Sequence, residues 1–446
     1  MKLYNTLSRK IEEFVPINPG KVGVYSCGPT VYDYPHIGNW RTFIFDDILR
    51  RVLEYNGLAV IQVMNATDVG HLTGDNVGDA DLGEDRMVKA AKRENKTAWE
   101  IADFYIKDFI ESLGKLNIEK PNVFARATDH IKEQIELIKQ LEANGLVYVT
   151  PMGIYFEASK FSGYGKLGGQ KMIDKRVATR DELKEDSDKK NPFDFALWKF
   201  SKPEDKRQME WGSPWGKGFP GWHLECSAMA IKYLGESFDI HTGGVDHIAI
   251  HHTNEIAQSE GATGKTFAKY WMHGEFLTVD GGRMGKSLGN AFTLQDVINK
   301  GFDPLALRYF YFSAHYRQKQ NFTWEALENA RNGLNKLRNK AQSLASQEVL
   351  LRGRFLEAIN NDLNMPEALA VAWQTENRDD LVEFDKVFGL DLFKTEEKII
   401  PEEIKKLIAE REVARKNKDY KKADEFRDMI KSKGYDVNDT KISSNN

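Results

Sequence analysis

The spacing of hydrophobic and polar residues near the start of the chain predicts a strand, a helix and a second strand. "KVGVYSC" alternates apolar residues with others, as strands do, and ends at Cys27. "RTFIFDDILRRVLEYNG" has apolar residues three and four apart and stops at Gly57, which predicts a helix. "LAVIQVMN" predicts the second strand. This order predicts a βαβ unit whose two strands are parallel.

The pattern changes twice further along the chain. From about residue 146 to about residue 200, "LVYVTPMGIYFEA" predicts a hairpin and polar runs follow, so we interpret this region as an insertion. "SFDIHTGG" predicts a strand that returns to the first sheet, and from about residue 305 the spacing is almost wholly helical. The predicted fold class is α/β, with a Rossmann-like parallel sheet split by the insertion and followed by an all-α C-terminal region.

Composition narrows the class of protein. The chain has 446 residues, 41% of them hydrophobic and 29% charged, which is typical of a soluble protein of more than one domain. No apolar run reaches the roughly 18 residues of a membrane-spanning helix, and the charged start lacks the apolar core of a signal peptide. Two distant cysteines favour a reducing compartment, so we predict a cytoplasmic protein without a membrane partner.

Charge is informative locally rather than globally. The net charge of −4 gives no general indication of nucleic-acid binding. Between residues 331 and 354, however, basic residues outnumber acids by six to one. This excess predicts either a surface that contacts phosphates or an ordinary solvated helix face.

Two loops carry residues suited to phosphate chemistry. "HIGN", residues 36–39, follows the first predicted strand, where nucleotide-binding sheets place their ligands. "DGGRMGKSLGN", residues 280–290, is rich in glycine and carries Arg283 and Lys286. Cations on such a loop can stabilise the charge of a departing pyrophosphate. Either segment alone could equally be an ordinary turn.

Four other residues have the chemistry of a metal site. Cys27 ends the first strand, Cys226 lies in "GFPGWHLECSAMA", and His251 and Glu255 are four residues apart, on one face if helical. Thiolates, an imidazole and a carboxylate form a suitable set of zinc ligands. The spacing is not a compact zinc motif, and buried cysteines with a surface His–Glu pair are the alternative. His252 is three residues from Glu255, so periodicity does not choose between the two histidines.

Together and in this order, "HIGN" and "RMGKS" resemble the paired signatures of class I aminoacyl-tRNA synthetases, usually written HIGH and KMSKS. Asn39 stands at the second histidine, Arg283 at the first lysine and Gly285 at the first serine, while Lys286 is retained. Longer segments, among them "YSCGPTVYDYPHIG", "SPWGKGFPGWHLECSAMA" and "HHTNEIAQSE", resemble cysteinyl-tRNA synthetases over essentially the whole chain.

The resemblance implies ATP-dependent ligation of L-cysteine to tRNA(Cys) through an enzyme-bound cysteinyl-adenylate. It implies Mg²⁺ with ATP, and one Zn²⁺ that selects the substrate thiolate over serine and is held by Cys27, Cys226, His251 and Glu255. The implied catalytic residues are His36, Asn39 and Lys286, and ATP binding adds Gly38, Arg283 and Ser287. The implied cysteine pocket consists of Thr67, Trp222, His241 and Asp246.

The same resemblance divides the chain into five parts and implies a monomer. They are the first half of the Rossmann catalytic domain with the HIGN motif (1–130), a connective insertion (131–210), the second half with the RMGKS loop (211–300), a region contacting the tRNA stem (301–330) and a helical anticodon-binding domain (331–446).

Two other functions are weighed against this one. A ligase that joins cysteine through its adenylate to a small amine would share both sites, but it would not need the long C-terminal region. A catalytically silent RNA-binding homologue would explain the altered motifs, but it would not need the metal residues or Lys286.

Overall fold

The computed structural model describes residues 1–71, 85–169, 189–202, 207–285, 288–347, 351–394, 402–417 and 419–432. The chain divides into two compact units, Met1–Phe393 and Lys394–Asn446. Among the helices of these ranges, none has both the length and the hydrophobicity needed to span a membrane.

The strands and helices of the described residues are as follows. The strands are β1 (Lys2–Asn5), β2 (Lys10–Glu13), β3 (Lys21–Ser26), β4 (Ala59–Ala66), β5 (Val123–Arg126), β6 (Val147–Thr150), β7 (Gly153–Phe156), β8 (Phe195–Phe200), β9 (Trp211–Ser213), β10 (Gly216–Pro220), β11 (Phe238–Gly244), β12 (Ala268–Gly274), β13 (Leu277–Val279) and β14 (Gln320–Phe322). The helices are α1 (Ile37–Tyr55), α2 (Arg86–Glu94), α3 (Ala98–Lys115), α4 (Ile131–Ala143), α5 (Trp222–Leu234), α6 (His251–Thr263), α7 (Leu294–Asn299), α8 (Pro304–Tyr311), α9 (Trp324–Ser343), α10 (Arg352–Asn360), α11 (Met365–Gln374), α12 (Arg378–Phe388), α13 (Glu402–Lys416) and α14 (Tyr420–Ser432).

The centre of the first unit is a five-stranded parallel sheet in the order β12-β11-β3-β4-β5. Strands β3 and β4 pair in parallel with α1 between them in the chain, so the predicted βαβ unit is confirmed. Successive side chains of a strand face opposite sides of a sheet. Val24 accordingly joins the apolar cluster that contains Ile44 of α1, whereas Tyr25 joins the cluster that contains Met229 of α5. The predicted α/β fold class is confirmed.

The insertion forms a second sheet of antiparallel strands in the order β6-β7-β8-β10-β9. The predicted hairpin is confirmed as β6 and β7, which pair from Val147 with Phe156 to Thr150 with Gly153. The last paired residue of β10 is Pro220, immediately before α5. The inserted sheet therefore leads the chain directly into the helix that carries Cys226.

Helices α7 to α12 complete the first unit, and α13 and α14 belong to the second. Arg308 of α8 is fully buried and forms an ion pair with Asp47 of α1, which ties these helices to the sheet domain. The predicted division at residue 330 falls inside α9, which runs on without interruption. In the basic stretch, Arg338 pairs with Asp303 at 2.8 Å and Lys340 donates to a main-chain oxygen, so two of its cations support the fold.

Two adjacent buried carboxyl groups of α1 are expected to respond oppositely to pH. Burial raises the pKa of Asp46 to about 8, and neither of its carboxyl oxygens has a hydrogen-bond partner among the described residues. Burial acts in the same direction on Asp47, but Arg308, Arg51 and a hydrogen bond from the Glu119 N–H together outweigh it, and the pKa of Asp47 is lowered. The folded protein therefore keeps the Asp46 proton between about pH 4 and pH 8 while the unfolded chain loses it, so Asp46 reduces stability as pH rises through this window.

We predict that Asp46→Asn raises the free energy of unfolding at pH 7 by about 4 kcal/mol, since pH 7 lies about three units above the ordinary pKa of aspartate and each unit corresponds to about 1.4 kcal/mol. Asp47→Asn is the matched control, and it is expected to cost about 3–5 kcal/mol because it leaves Arg308 buried without its partner. Urea unfolding at pH 5 and pH 8 measures both effects. Parallel pH profiles for Asp46→Asn and the unmodified protein would contradict the prediction.

Candidate functional site

A cavity of about 470 Å³ opens beside the carboxyl ends of the central strands. Strands β3 and β11 are adjacent and parallel, so the residues that follow them meet at one edge of the sheet. The cavity is lined by most of the residues between Cys27 and Pro35 and by His36 and Asn39, all after β3. Trp222 at the start of α5 and Asp246 and His251 after β11 complete this part of its wall. Its volume suits a small-molecule substrate.

His36 and Asn39 form the N-terminal cap of α1 and line the cavity. The Nδ1 atom of His36 accepts a hydrogen bond from the Asn39 main-chain N–H at 3.1 Å, and Oδ1 of Asn39 accepts one from the His36 N–H at 3.1 Å. This reciprocal cap orients the Asn39 amide with its oxygen toward the backbone, so its NH₂ group is the end available for donation. The motif thus combines polar side chains with a helix N-terminus, which favours anions.

The glycine-rich loop approaches this helix start. A Cβ atom built on Gly38 would lie 3.1 Å from the His36 ring and 3.4 Å from the Cε of Met284, so the two motifs meet at Gly38. Asn290 accepts a hydrogen bond from the Gly285 N–H at 2.8 Å and donates one to the Arg283 oxygen at 3.1 Å, which shapes the loop. Arg283 is exposed. Lys286 and Ser287 lie outside the described residues.

The four predicted metal ligands lie together in the structure. Cys27, Cys226, His251 and Glu255 are buried, and their donor atoms all lie within 4.8 Å of one another. A second set, in which His241 and His252 replace Cys226 and His251, meets the same distance limit. Only the first set has both thiols, and its His251 lines the cavity together with Cys27.

Further histidines hold these donors in place. His223 and His251 are joined through their Nδ1 atoms at 3.0 Å, and Nε2 of His241 contacts Oε2 of Glu255 at 2.7 Å. These contacts leave Nε2 of His251 and Oε1 of Glu255 only 2.8 Å apart, yet Oε1 has no aligned hydrogen-bond donor among the described residues. Two lone-pair atoms that converge in this way fit a shared metal ion, with the other ring nitrogen and oxygen held by supporting residues.

The charges of the buried donors also favour a bound cation. Burial would raise the pKa of Glu255, but His241 and His251 lower it to about 2. Burial likewise opposes ionisation of Cys226, but hydrogen bonds from Cys27 and His251 lower its pKa to about 7. Burial would lower the pKa of His251, but Glu255 and Cys226 together raise it to about 10. A carboxylate and a thiolate therefore require positive charge beside them, which either the His251 proton or a metal ion supplies.

The four residues predicted to bind cysteine separate into two pairs. Trp222 and Asp246 line the cavity, and the Trp222 ring lies 4.3 Å from the His251 ring. Thr67 and His241 are buried and are not part of the described cavity wall. The Thr67 oxygen accepts from the Val31 N–H at 3.1 Å, so Thr67 supports the loop that lines the cavity.

The sequence analysis missed the supporting role of His223 and the place of His247 in the cavity wall. The signal that could have found them is the concentration of histidines within "GWHLEC" and "VDHIAIHH". Each lies within four residues of a predicted metal ligand. The contact between His223 and His251, however, depends on how α5 packs against α6.

The fold and a family-model match define a class I aminoacyl-tRNA synthetase. Residues 13–332 match the family model described as "tRNA synthetases class I (C) catalytic domain". Two solved structures of Mycobacterium tuberculosis methionyl-tRNA synthetase with methionyl-adenylate share this fold, one with a TM-score of 0.57 at 15% identity, over 83% of this chain and 88% of that one.

The remaining comparisons identify the particular family. Residues 399–442 match the model described as "Cysteinyl-tRNA ligase anticodon binding domain". Cysteine–tRNA ligase 1 of Burkholderia lata is 47% identical over 99% of this chain and 95% of its own length, and cysteine–tRNA ligase of Treponema denticola is 44% identical over 98% of each. The chain belongs to the cysteine–tRNA ligase family, and the predicted resemblance and enzyme class are confirmed.

Proposed function

We propose that the protein ligates L-cysteine to tRNA(Cys) with ATP, through an enzyme-bound cysteinyl-adenylate. The observation that carries this proposal is that one cavity is bordered by a cluster of soft metal donors and by the capped start of α1. A cysteine molecule spans such a cavity with its thiol toward the donors and its carboxylate toward the helix start. Family membership supports the choice of amino acid.

Cys27, Cys226, His251 and Glu255 are the proposed zinc ligands. Zinc supplies a soft Lewis acid that holds a thiolate in strong preference to a hydroxyl. His223 and His241 orient the ligating histidine and carboxylate through the hydrogen bonds described above. The set containing His252 is less suitable, because it lacks the second thiol, that of Cys226, and neither His252 nor His241 lines the described cavity.

The proposed first step joins the cysteine carboxylate to the α-phosphorus of ATP, with pyrophosphate leaving. His36 and Asn39 position the phosphates at the start of α1, and Gly38 allows them to approach closely. Lys286 stabilises the charge that develops on the leaving group, assisted by Arg283 and Ser287. Mg²⁺ that enters with ATP supplies further neutralisation of the phosphates.

We assign two different roles to the four residues proposed for the cysteine site: two line the cavity and two support its wall. They are Trp222 and Asp246, and Thr67 and His241, respectively. Trp222 forms a wall beside His251, and Asp246 offers an exposed carboxylate to the substrate ammonium group. Thr67 and His241 lie behind the cavity wall. Thr67 supports the loop that follows β3, and His241 holds the Glu255 carboxylate.

The tRNA would be bound mainly by the C-terminal helices. The match of residues 399–442 to an anticodon-binding model supports this role for the second unit. We keep the five-part division and the monomeric state as proposals. A ligase that joins cysteine to a small amine would not need this unit, because its acceptor has no anticodon to bind.

The proposed function is tested with one preparation of the protein. We expect about one zinc ion per chain, and kcat/KM for cysteine-dependent ATP–pyrophosphate exchange at least about a thousandfold above that for serine, because shape alone discriminates only about 10–200-fold. Cysteine should then be transferred to tRNA(Cys) and not to an amino-sugar acceptor. An active but metal-free protein, or comparable use of serine, would overturn the proposal.

A further inference from the structure

Both ends of the glycine-rich loop are attached to the first two turns of α1. After the loop, the Phe292 oxygen accepts a hydrogen bond from the Ile37 N–H at 2.8 Å. Before the loop, the guanidinium group of Arg41 donates to the main-chain oxygens of Glu275 and Phe276, both at 2.8 Å, immediately before β13. Ile37 and Arg41 are four residues apart and therefore lie on one face of the helix. The helix that begins at the HIGN motif thus holds the loop of the RMGKS motif at both of its ends.

Arg41 is buried and binds four main-chain oxygens. Besides the two oxygens before β13, it binds two in the segment that leads to β14, since its Nη2 atom donates to the oxygens of His315 at 3.3 Å and Gln318 at 2.6 Å. Burial lowers the pKa of Arg41 to about 10, so the guanidinium group is still charged at neutral pH. All four hydrogens of its two terminal nitrogens are used, which the single ammonium group of a lysine cannot reproduce. Because β13 and β14 pair in parallel, Arg41 joins the segments that lead into both strands.

Strand β14 in turn fixes the start of the loop. Val279 and Gly282 exchange main-chain hydrogen bonds of 3.0 and 2.9 Å across a two-residue turn of sequence Asp-Gly. The two turn residues have φ angles of +49° and +76°, which is the tight-turn conformation that Asp-Gly favours. Oδ1 of Asn321, in β14, accepts a hydrogen bond from the Gly281 N–H of this turn at 2.7 Å. The loop therefore leaves β13 in a defined direction that depends on the pairing of β13 with β14.

We propose that Arg41 is a positioning residue for adenylate formation and that, together with Asn321, it fixes the start of the glycine-rich loop relative to the start of α1. Two residues after the turn, the Met284 side chain comes close to Gly38 of the HIGN motif. Lys286 follows two residues later, and under the proposed function, on which this inference rests, it meets the leaving pyrophosphate. A displacement of about 1 Å in such a group can lower the rate about a hundredfold. Arg41 thus acts on the reaction through the loop and does not touch the substrate.

A double-mutant cycle distinguishes this role from simple stabilisation of the fold, because the effects of two residues that act through one group are not additive. Arg41→Lys and Asn321→Ala are each made alone and in combination with Lys286→Ala. Asn321 is exposed, so folding is not expected to depend on its side chain.

Two matched controls accompany the cycle. Arg308→Lys alters another fully buried arginine that donates to main-chain oxygens, and Asn332→Ala alters another exposed asparagine, in α9. The measurement is steady-state ATP–pyrophosphate exchange at varied cysteine concentrations, with thermal unfolding to determine the folded fraction of each variant.

Arg41→Lys is expected to lower kcat about thirtyfold and Asn321→Ala about fivefold, while the KM for cysteine changes less than about twofold. Each loss should fall below about twofold when Lys286 is already alanine, because the group being positioned is then absent. Both controls should leave kcat per folded molecule unchanged.

Losses that remain undiminished in the Lys286→Ala background, or an unchanged kcat in Asn321→Ala, overturn the proposal. The Asn321→Ala pair decides the question by itself if Arg41→Lys does not fold. Absence of cysteine-dependent exchange in the unmodified protein would instead refute the proposed function.

Discussion

His251→Gln is expected to remove zinc from the purified protein and to lower kcat/KM for cysteine activation about a thousandfold. The substitution deletes one of four buried donors, and the three that remain no longer complete the tetrahedral set that a structural zinc ion requires. Without the ion, the cavity distinguishes cysteine only by its shape. Zinc is measured by mass spectrometry, and activation by ATP–pyrophosphate exchange with cysteine.

His252→Gln is the matched comparison, since both histidines are buried neighbours on α6. We expect this variant to retain about one zinc ion per chain, because His252 contacts Cys27 and His273 rather than completing the proposed set. His130→Gln alters a buried histidine that instead contacts Tyr233, and it should leave zinc unchanged. A zinc-free His252→Gln protein beside a zinc-loaded His251→Gln protein would assign the metal to the second donor set.

Lys286→Ala is expected to lower kcat for adenylate formation about a hundredfold to a thousandfold while the KM for cysteine changes less than about threefold. The proposed role of this lysine is to meet negative charge that develops on the pyrophosphate during the reaction. An interaction made only in the transition state affects kcat rather than substrate binding. Steady-state ATP–pyrophosphate exchange at varied cysteine concentrations separates the two constants.

Arg283→Ala is the comparison within the same loop. Its side chain is exposed, and screening by solvent weakens its interaction with the phosphates, so we expect a loss of about tenfold or less. The comparison tests whether the loss of activity is larger in Lys286→Ala than in Arg283→Ala. A larger loss at Arg283 than at Lys286, or an equal loss in kcat and in cysteine affinity at Lys286, would contradict the assigned roles.

The local elements were predictable because their signals are local. The apolar spacing of α1 and the alternation in β3 are properties of single segments, and both elements lie where the pattern indicates. The hairpin of β6 and β7 is equally local. The division at residue 330 stays a prediction that rests on the resemblance, because α9 spans this position with one continuous apolar face and the local pattern does not mark a boundary there.

The site was predictable in its residue types and less so in its geometry. Cys27 and Cys226 have side chains that suit a soft metal, and the motif resemblance paired them with His251 and Glu255. It did not reveal that His241 would stand behind Glu255 rather than in the cavity wall. A strand-end histidine can face either the ligand or the protein, and only the packing of α6 on β11 decides which.

The sequence by itself determined the βαβ start, the chemistry of the donors and the family, because each depends on residue identity and short-range spacing. Tertiary structure decided which donors face one another and which line the cavity. His251 and His252 show the reason. Both lie within a turn of Glu255, so helical periodicity treats them alike, whereas the orientation of α6 turns one toward the cavity beside Cys27 and the other toward His273. That orientation is set by buried contacts between segments far apart in the chain.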